Sequence, residues 1–230
     1  MTSARDQILG NIRNSLSVKE DDGNRRTAVQ CRLEAHQAGL IPERSKLPKD
    51  KQVDLFISMA EGVQSTVDRL DSLKQVPEAV SRYLTQHNLP QRLKMATHET
   101  LESLPWDDVP VLTVSEGASQ GDDLISLAMA FGGIAETGTL ALLSGPDGPT
   151  TLNFLPETHL VVLKESDIQG AYEDIWQKLR DRQAAKGDRD LPRTVNLITG
   201  PSRTGDIEQT ILLGAHGPHQ LHILLVADGE

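Results

Sequence analysis

The chain has 230 residues, 33 acidic against 23 basic ones for a formal net charge of -10, one cysteine and 3% aromatic residues. That size suits one large domain, or a core domain with an extension, able to bury about 70% of its unfolded surface. The acidic balance, with no dense Lys/Arg block, argues against nucleic acid as partner, and scarce aromatics remove base-stacking platforms. The single Cys31 excludes an internal disulfide and any cysteine-ligated cluster built from this chain alone. No early apolar run follows Met1 and no stretch of roughly 18 apolar residues is present, so a soluble, cytoplasmic protein is expected.

Residues 4–16 place Ile8, Leu9, Ile12 and Leu16 on one helical face, with Ser3 as N-cap. Residues 17–26 and 41–51 read as exposed connectors around a helix at 27–38. Residues 1–50 are therefore expected to form a helical extension, either a loose cover or an arm contacting a second subunit in a homo-oligomer. Residues 51–230 carry the main domain. There a helix at 54–59, with Val53, Phe56, Ile57 and Ala60 on its apolar face, stops at Gly62 before a strand at 65–70. A helix at 76–84, with Pro77 in a permitted first-turn position, precedes strands at 93–96 and 109–114. Residues 124–131 read as a strand paired locally with 139–143, and 159–163 as a continuous buried strand. Ser166 and Gln169 have capping-box spacing for a helix presenting Ile168, Tyr172, Ile175, Trp176 and Leu179. After a polar linker at 184–190, a strand at 194–198, a helix at 204–213 ended by Gly214 and a strand at 220–226 compose a strand, helix, strand unit. A right-handed crossover makes its strands parallel and puts loop 199–203 at a carboxyl edge, where open α/β sheets bind ligands. The fold class is α/β, an open mixed or mostly parallel sheet with helices on both faces.

Two stretches carry candidate chemistry. In the first, Gly132-Gly133 permits positive φ, and the turn before the 140–143 run carries Glu136, Thr137, Gly138 and Thr139. A carboxylate in such a turn serves as base or nucleophile, holds a ligand hydroxyl, or simply accepts from nearby amides and fixes the hairpin. In the second, Thr199, Gly200, Ser202, Arg203 and Thr204 lead towards Asp206 at an expected helix start, where free amides, hydroxyls and a guanidinium suit a small carboxylate or phosphate. The alternative is a plain N-cap by Ser202 or Thr204. Neither a Walker loop nor a dinucleotide fingerprint is present. Asn153 is placed to aim its amide into the same cleft. His216, His219 and His222 recur every third residue, yet they divide between a turn and a strand, which disfavours a shared metal. His216 reads as a turn residue available for proton transfer, and His159 as a satisfied structural histidine.

The strings Ala135-Glu136-Thr137-Gly138-Thr139, Ser144-Gly145-Pro146, Leu155-Pro156-x-Thr158-His159, Thr199-Gly200-Pro201-Ser202-x-Thr204 and Gly214-x-His216-Gly217-Pro218 resemble the LUD-domain family, specifically its lactate utilization protein C branch. The resemblance implies a fold similar to ribose-5-phosphate isomerase, glucosamine-phosphate isomerase and CoA transferases. It also implies a part in oxidising L-lactate to pyruvate, as a subunit without its own redox centre beside separately encoded iron–sulfur proteins. Those partners would carry the clusters, and no cofactor is identifiable in this chain. Two other functions stay open: a free-standing enzyme on a phosphorylated or CoA-linked metabolite, and a module that senses a small carboxylate.

Overall fold

In the computed structural model, which describes residues 3–17, 23–187, 191–205 and 211–227, a reciprocal capping box starts the first helix. The Ser3 hydroxyl accepts from the Asp6 amide and the Asp6 carboxylate accepts from the Ser3 amide, both at 3.2 Å. Helix α1, Ala4–Ser15, and helix α2, Gly23–Ala35, bury no side chain, and Ile8, Ile12 and Leu33 are exposed. Both belong to a unit, Met1–Leu40, separate from the unit Ile41–Glu230.

The second unit opens with α3, Lys49–Gly62, which buries Val53, Phe56 and Ala60 at helical spacing. Strand β1, Thr66–Leu70, helix α4, Val76–Gln86, strand β2, Arg92–Met95, and the short α5, Glu99–Glu102, follow. Next come β3, Thr113–Glu116, β4, Ile125–Met129, β5, Gly132–Ile134, β6, Thr139–Leu143, and β7, Thr158–Lys164. The chain ends through β8, Ile168–Gln169, α6, Tyr172–Ala185, β9, Val195–Ile198, β10, Arg203–Gly205, β11, Ile211–Leu213, and β12, Gln220–Val226.

Six strands form one sheet in the order β1-β12-β7-β4-β2-β3, every neighbouring pair parallel. Central β7 and its neighbour β12 are paired over seven residues and almost wholly buried, as aliphatic runs covered on both faces must be. Phe56 of α3 and Val76, Val80 and Leu84 of α4 share one core with Leu127, Leu160 and Ile223 of this sheet. A second, mixed sheet runs β8-β5-β6-β9, and Ile175 of α6 packs on its Ile134 and Ala141. The expected mostly parallel α/β architecture with flanking helices is what the chain adopts.

Several local expectations are corrected. Strand β4 does not pair with residues 139–143; it lies between β7 and β2, because Ile125, Leu127 and Ala128 are buried and need partners on both edges. The hairpin partner of β6 is β5. The strand expected at 109–114 begins only at Thr113, since residues 106–108 form a tight turn. Ser166 caps no helix: residues 168–169 pair with β5, and α6 starts at Tyr172, where the Asp174 carboxylate accepts from the Ala171 amide at 2.9 Å. The helix at 204–213 is replaced at both ends by an antiparallel pair, Arg203↔Leu213 to Gly205↔Ile211, while residues 206–210 lie outside the described residues. Gly205 and β-branched Thr204 and Ile211 favour that choice. Strands β9 and β12 sit in different sheets, so they form no parallel crossover unit. Gly132 and Gly133 are not at positive φ; they are needed for close approach, since a Cβ on Gly133 would lie 2.9 Å from both Phe56 Cε2 and Leu163 Cδ2. The left-handed residue of this hairpin is Gly138, with φ 64°.

Candidate functional site

The four-residue turn between β5 and β6 is pressed onto the C-terminal part of α3. A Cβ on Gly138 would collide with the Ala60 amide nitrogen, so only glycine fits there. Glu136, 4% exposed, turns its carboxylate to the first amide of α6, accepting from the Tyr172 N–H at 3.2 Å. A carboxylate at that position compensates the positive end of the helix dipole. Beside it the hydroxyls of Thr137 and Thr139 lie 2.7 Å apart, each 3.1 Å from the Tyr172 hydroxyl, and Thr139 Oγ1 is 2.6 Å from Thr199 Oγ1. This chain of hydroxyls joins the two candidate stretches.

A cavity of about 300 Å³ lies beyond Thr199. Its walls come from residues 197–203, the 216–218 turn, Asn153, Phe154 and His159. Six of the expected site residues therefore meet: Asn153, Thr199, Gly200, Ser202, Arg203 and His216. Glu136, Thr137, Gly138, Thr139 and Thr204 do not line it, and Asp206 lies outside the described residues. The cavity follows the carboxyl end of β9 but faces the amino ends of β7 and β12, where His159 and Leu221 stand second in their strands. That corrects the carboxyl-edge placement, which required β9 and β12 in one sheet. The amides of the loop are also less free than at a helix start: Ser202 N–H donates to Pro218 O at 2.9 Å. Arg203 donates to Val63 O at 2.6 Å, at the carbonyl-rich end of α3.

His159, expected to be a satisfied structural histidine, is satisfied at only one ring nitrogen. It is fully buried, and its Nδ1 lies 2.9 Å from Ser126 Oγ. The Ser126 hydroxyl donates its one proton to Leu152 O at 2.7 Å, so it must accept from His159 Nδ1–H. Nε2 is then the unprotonated nitrogen, and it has no partner. Burial pushes the imidazole down to about 3, so the ring is neutral. Only the register Ser126↔His159 between β4 and β7 creates this arrangement, and no local signal in the sequence announces it. His222, by contrast, places Nδ1 2.7 Å from Thr66 Oγ1 and stacks on Tyr83, away from the cavity. Among the described residues no three His, Cys, Asp or Glu side chains converge on a metal position.

The family described as the LUD domain matches residues 67–226, which include every wall of this cavity. The chain belongs to the LUD domain family. A lactate utilization protein C of Halalkalibacterium halodurans is 32% identical over 123 residues, covering 54% of this chain and 52% of that one. The matched stretch thus spans about half the length of that relative. The uncharacterized protein YkgG of Escherichia coli is 27% identical over 201 residues, 80% of this LUD-domain chain and 83% of YkgG. The fold is similar to the crystal structure of a DUF162 family protein from Deinococcus radiodurans, with TM-score 0.53 and 20% identity over 78% of this chain and 99% of the other. No helix among the described residues is long and apolar enough to cross a membrane.

Proposed function

We propose that this LUD-domain protein serves lactate utilization as a subunit without a redox centre of its own, and that the cavity at residues 199–203 takes a small hydroxy- or keto-carboxylate. Relatives named lactate utilization protein C support the role. The ligand site rests on one observation, the meeting of Asn153, Thr199, Ser202, Arg203 and His216 around one cavity. The unpartnered Nε2 of the buried, neutral His159 lies behind its wall. An unprotonated imidazole nitrogen accepts a hydrogen bond from a hydroxyl, and an unmet acceptor in a dry position gains more from that bond than one in water. The Ser202 hydroxyl is available to donate to the carboxylate, and exposed His216 is the group we assign to proton transfer. With its imidazole held down at about 3, His159 orients a ligand hydroxyl rather than removing its proton.

Oxidation of lactate releases two electrons and two protons to an acceptor outside this chain. With one cysteine the chain lacks the ligands for a cysteine-held cluster, so we assign that acceptor to separate iron–sulfur proteins. An acyl-transfer reaction at Glu136 is the weaker reading, because its buried carboxylate is engaged at the start of α6.

A deletion strain on L-lactate as sole carbon source tests the role. Growth restored by the wild-type gene but not by His159→Asn, with the variant folded and present, is the expected result. Undiminished growth of the uncomplemented strain, in a background with no second lactate route, would overturn it. Calorimetric titration of the purified protein with L-lactate and pyruvate tests the site separately, with binding expected for the wild type and weakened at least about tenfold in His159→Asn.

A further inference from the structure

A second cavity, about 480 Å³, lies at the other end of the parallel sheet. Its floor is the carboxyl ends of three neighbouring strands: His98 follows β2, Ala130 and Phe131 follow β4, and Lys164 ends β7. The chain passes from β2 outward to β3, then returns past β2 to β4 and continues away through β7 to β12. The crevice between β2 and β4 is therefore where the winding of the sheet reverses, the position at which open α/β sheets receive ligands. No residue of the 199–203 cavity borders it.

Its electrostatics oppose those of the whole molecule. Helix α6 sends Lys178 and Arg182 to its wall, with Lys186 just past the helix end, all at spacing four along one face. Lys178 is committed, lying 2.6 Å from Asp167 Oδ1 and donating to Phe131 O at 2.9 Å. Among the described residues that leaves Lys164, Arg182 and Lys186 against the carboxylate of Asp147, a local charge of +2 on a chain whose formal charge is -10. Like charges four apart on a helix repel one another. The dipole at the end of α6 offsets part of that repulsion, but it does not account for Lys164, which arrives from β7. The Phe131 ring lies under both α6 cations, with Lys178 Nζ 4.8 Å and the Arg182 guanidinium carbon 5.4 Å from its centroid, which holds them at the wall.

The geometry points to a second ligand site here, for a small molecule that carries a multiply charged phosphate or pyrophosphate group. The volume lies within the range of metabolite pockets, and planar arginine with converging lysines suits phosphate oxygens. The group reaches the cavity either on a phosphorylated metabolite or on a nucleotide. This site and the lactate reading stand or fall separately.

Calorimetric titration of the full-length protein with inorganic pyrophosphate, with ADP and inorganic phosphate as comparison arms, tests the proposal. Saturable pyrophosphate binding is expected, tighter than inorganic phosphate and weakening as salt rises. Lys164→Gln combined with Arg182→Gln should weaken it at least about tenfold, while Asp147→Asn, which removes the opposing charge, should tighten it several-fold. ADP binding more tightly than pyrophosphate would identify the nucleotide source, and equal or weaker binding the phosphorylated metabolite. His159→Asn should leave pyrophosphate affinity unchanged. Absence of saturable binding to the wild type, or equal affinity in the wild type, the double variant and Asp147→Asn, overturns the site.

Discussion

At the scale of single residues, burial makes His159 a measurable reporter of the folded state. Its imidazole is held down at about 3, against about 6.5 in an unfolded chain. Between those values the unfolded chain binds a proton that the folded one refuses, so stability falls as pH drops through the window and is regained as pH rises. His222 acts in the same direction. Burial lowers it to about 4, with nearby His87 and Arg82 adding to the shift and Asp68 opposing it. Each histidine adds a slope approaching about 1.4 kcal/mol per pH unit below roughly pH 6. Urea unfolding at pH 7, 6 and 5 should show the loss, and His159→Asn, whose amide can still donate to Ser126, should flatten the slope by about half. An unchanged slope in that variant would mean the ring is not held neutral. Glu136 gives a second residue-scale test. If its carboxylate mainly serves the start of α6, Glu136→Gln costs about 1 kcal/mol, a melting temperature lower by about 2–4 °C, and still restores growth on lactate. Lost growth at unchanged stability would instead make Glu136 a site residue.

At the scale of elements, the hairpin of β5 and β6 is the joint between the two larger sheets. It is held by glycines that serve two different needs. Gly133 makes room for Phe56 and Leu163, and Gly138 combines positive φ with backbone contact on α3. Gly138→Ala should therefore destabilise by at least about 2 kcal/mol, since a left-handed alanine and a clash with the Ala60 amide act together. Equilibrium denaturation measures this, and a loss below about 0.5 kcal/mol would show that α3 yields easily. The hydroxyl chain through Thr137, Thr139, Tyr172 and Thr199 ties this joint to the cavity loop. Stability and ligand affinity are accordingly expected to fall together in Thr139→Val, which keeps the shape and removes the shared hydroxyl.

On the scale of the whole molecule, every buried hydrophobic residue among the described ones lies between Val53 and Val226, while α1 and α2 bury none. Residues 41–230 expressed alone should unfold cooperatively with a urea midpoint close to that of the full chain. A peptide of residues 1–40 should show little helix by circular dichroism, because helices of 12 and 13 residues are marginal in water without packing. Aggregation or non-cooperative unfolding of 41–230 would show that the core needs the first forty residues.

The elements legible from the sequence are those with a strong local signal. The period of α3 and α4, the Ser3 cap, the unbroken aliphatic runs of β7 and β12, and hence the parallel α/β class, all follow from spacing and from the need to cover both faces of such strands. Loop 199–203 and His216 were also recognisable as glycine- and hydroxyl-rich turns, and the structure brings them to one cavity. Pairing partners were not, because an apolar run reads the same whether its neighbour is local or distant. That is why β4 left the hairpin for the centre of the sheet, and why β9 and β12 separated into two sheets. The same physics decided the sites. The free nitrogen of His159 depends on which residue faces it across a strand pair thirty-three positions away, and the cationic cleft depends on α6 meeting the ends of β4 and β7. Local sequence determined which segments become strands and helices; long-range register and packing alone determined which polar atoms were left without partners and which side chains meet at the two cavities.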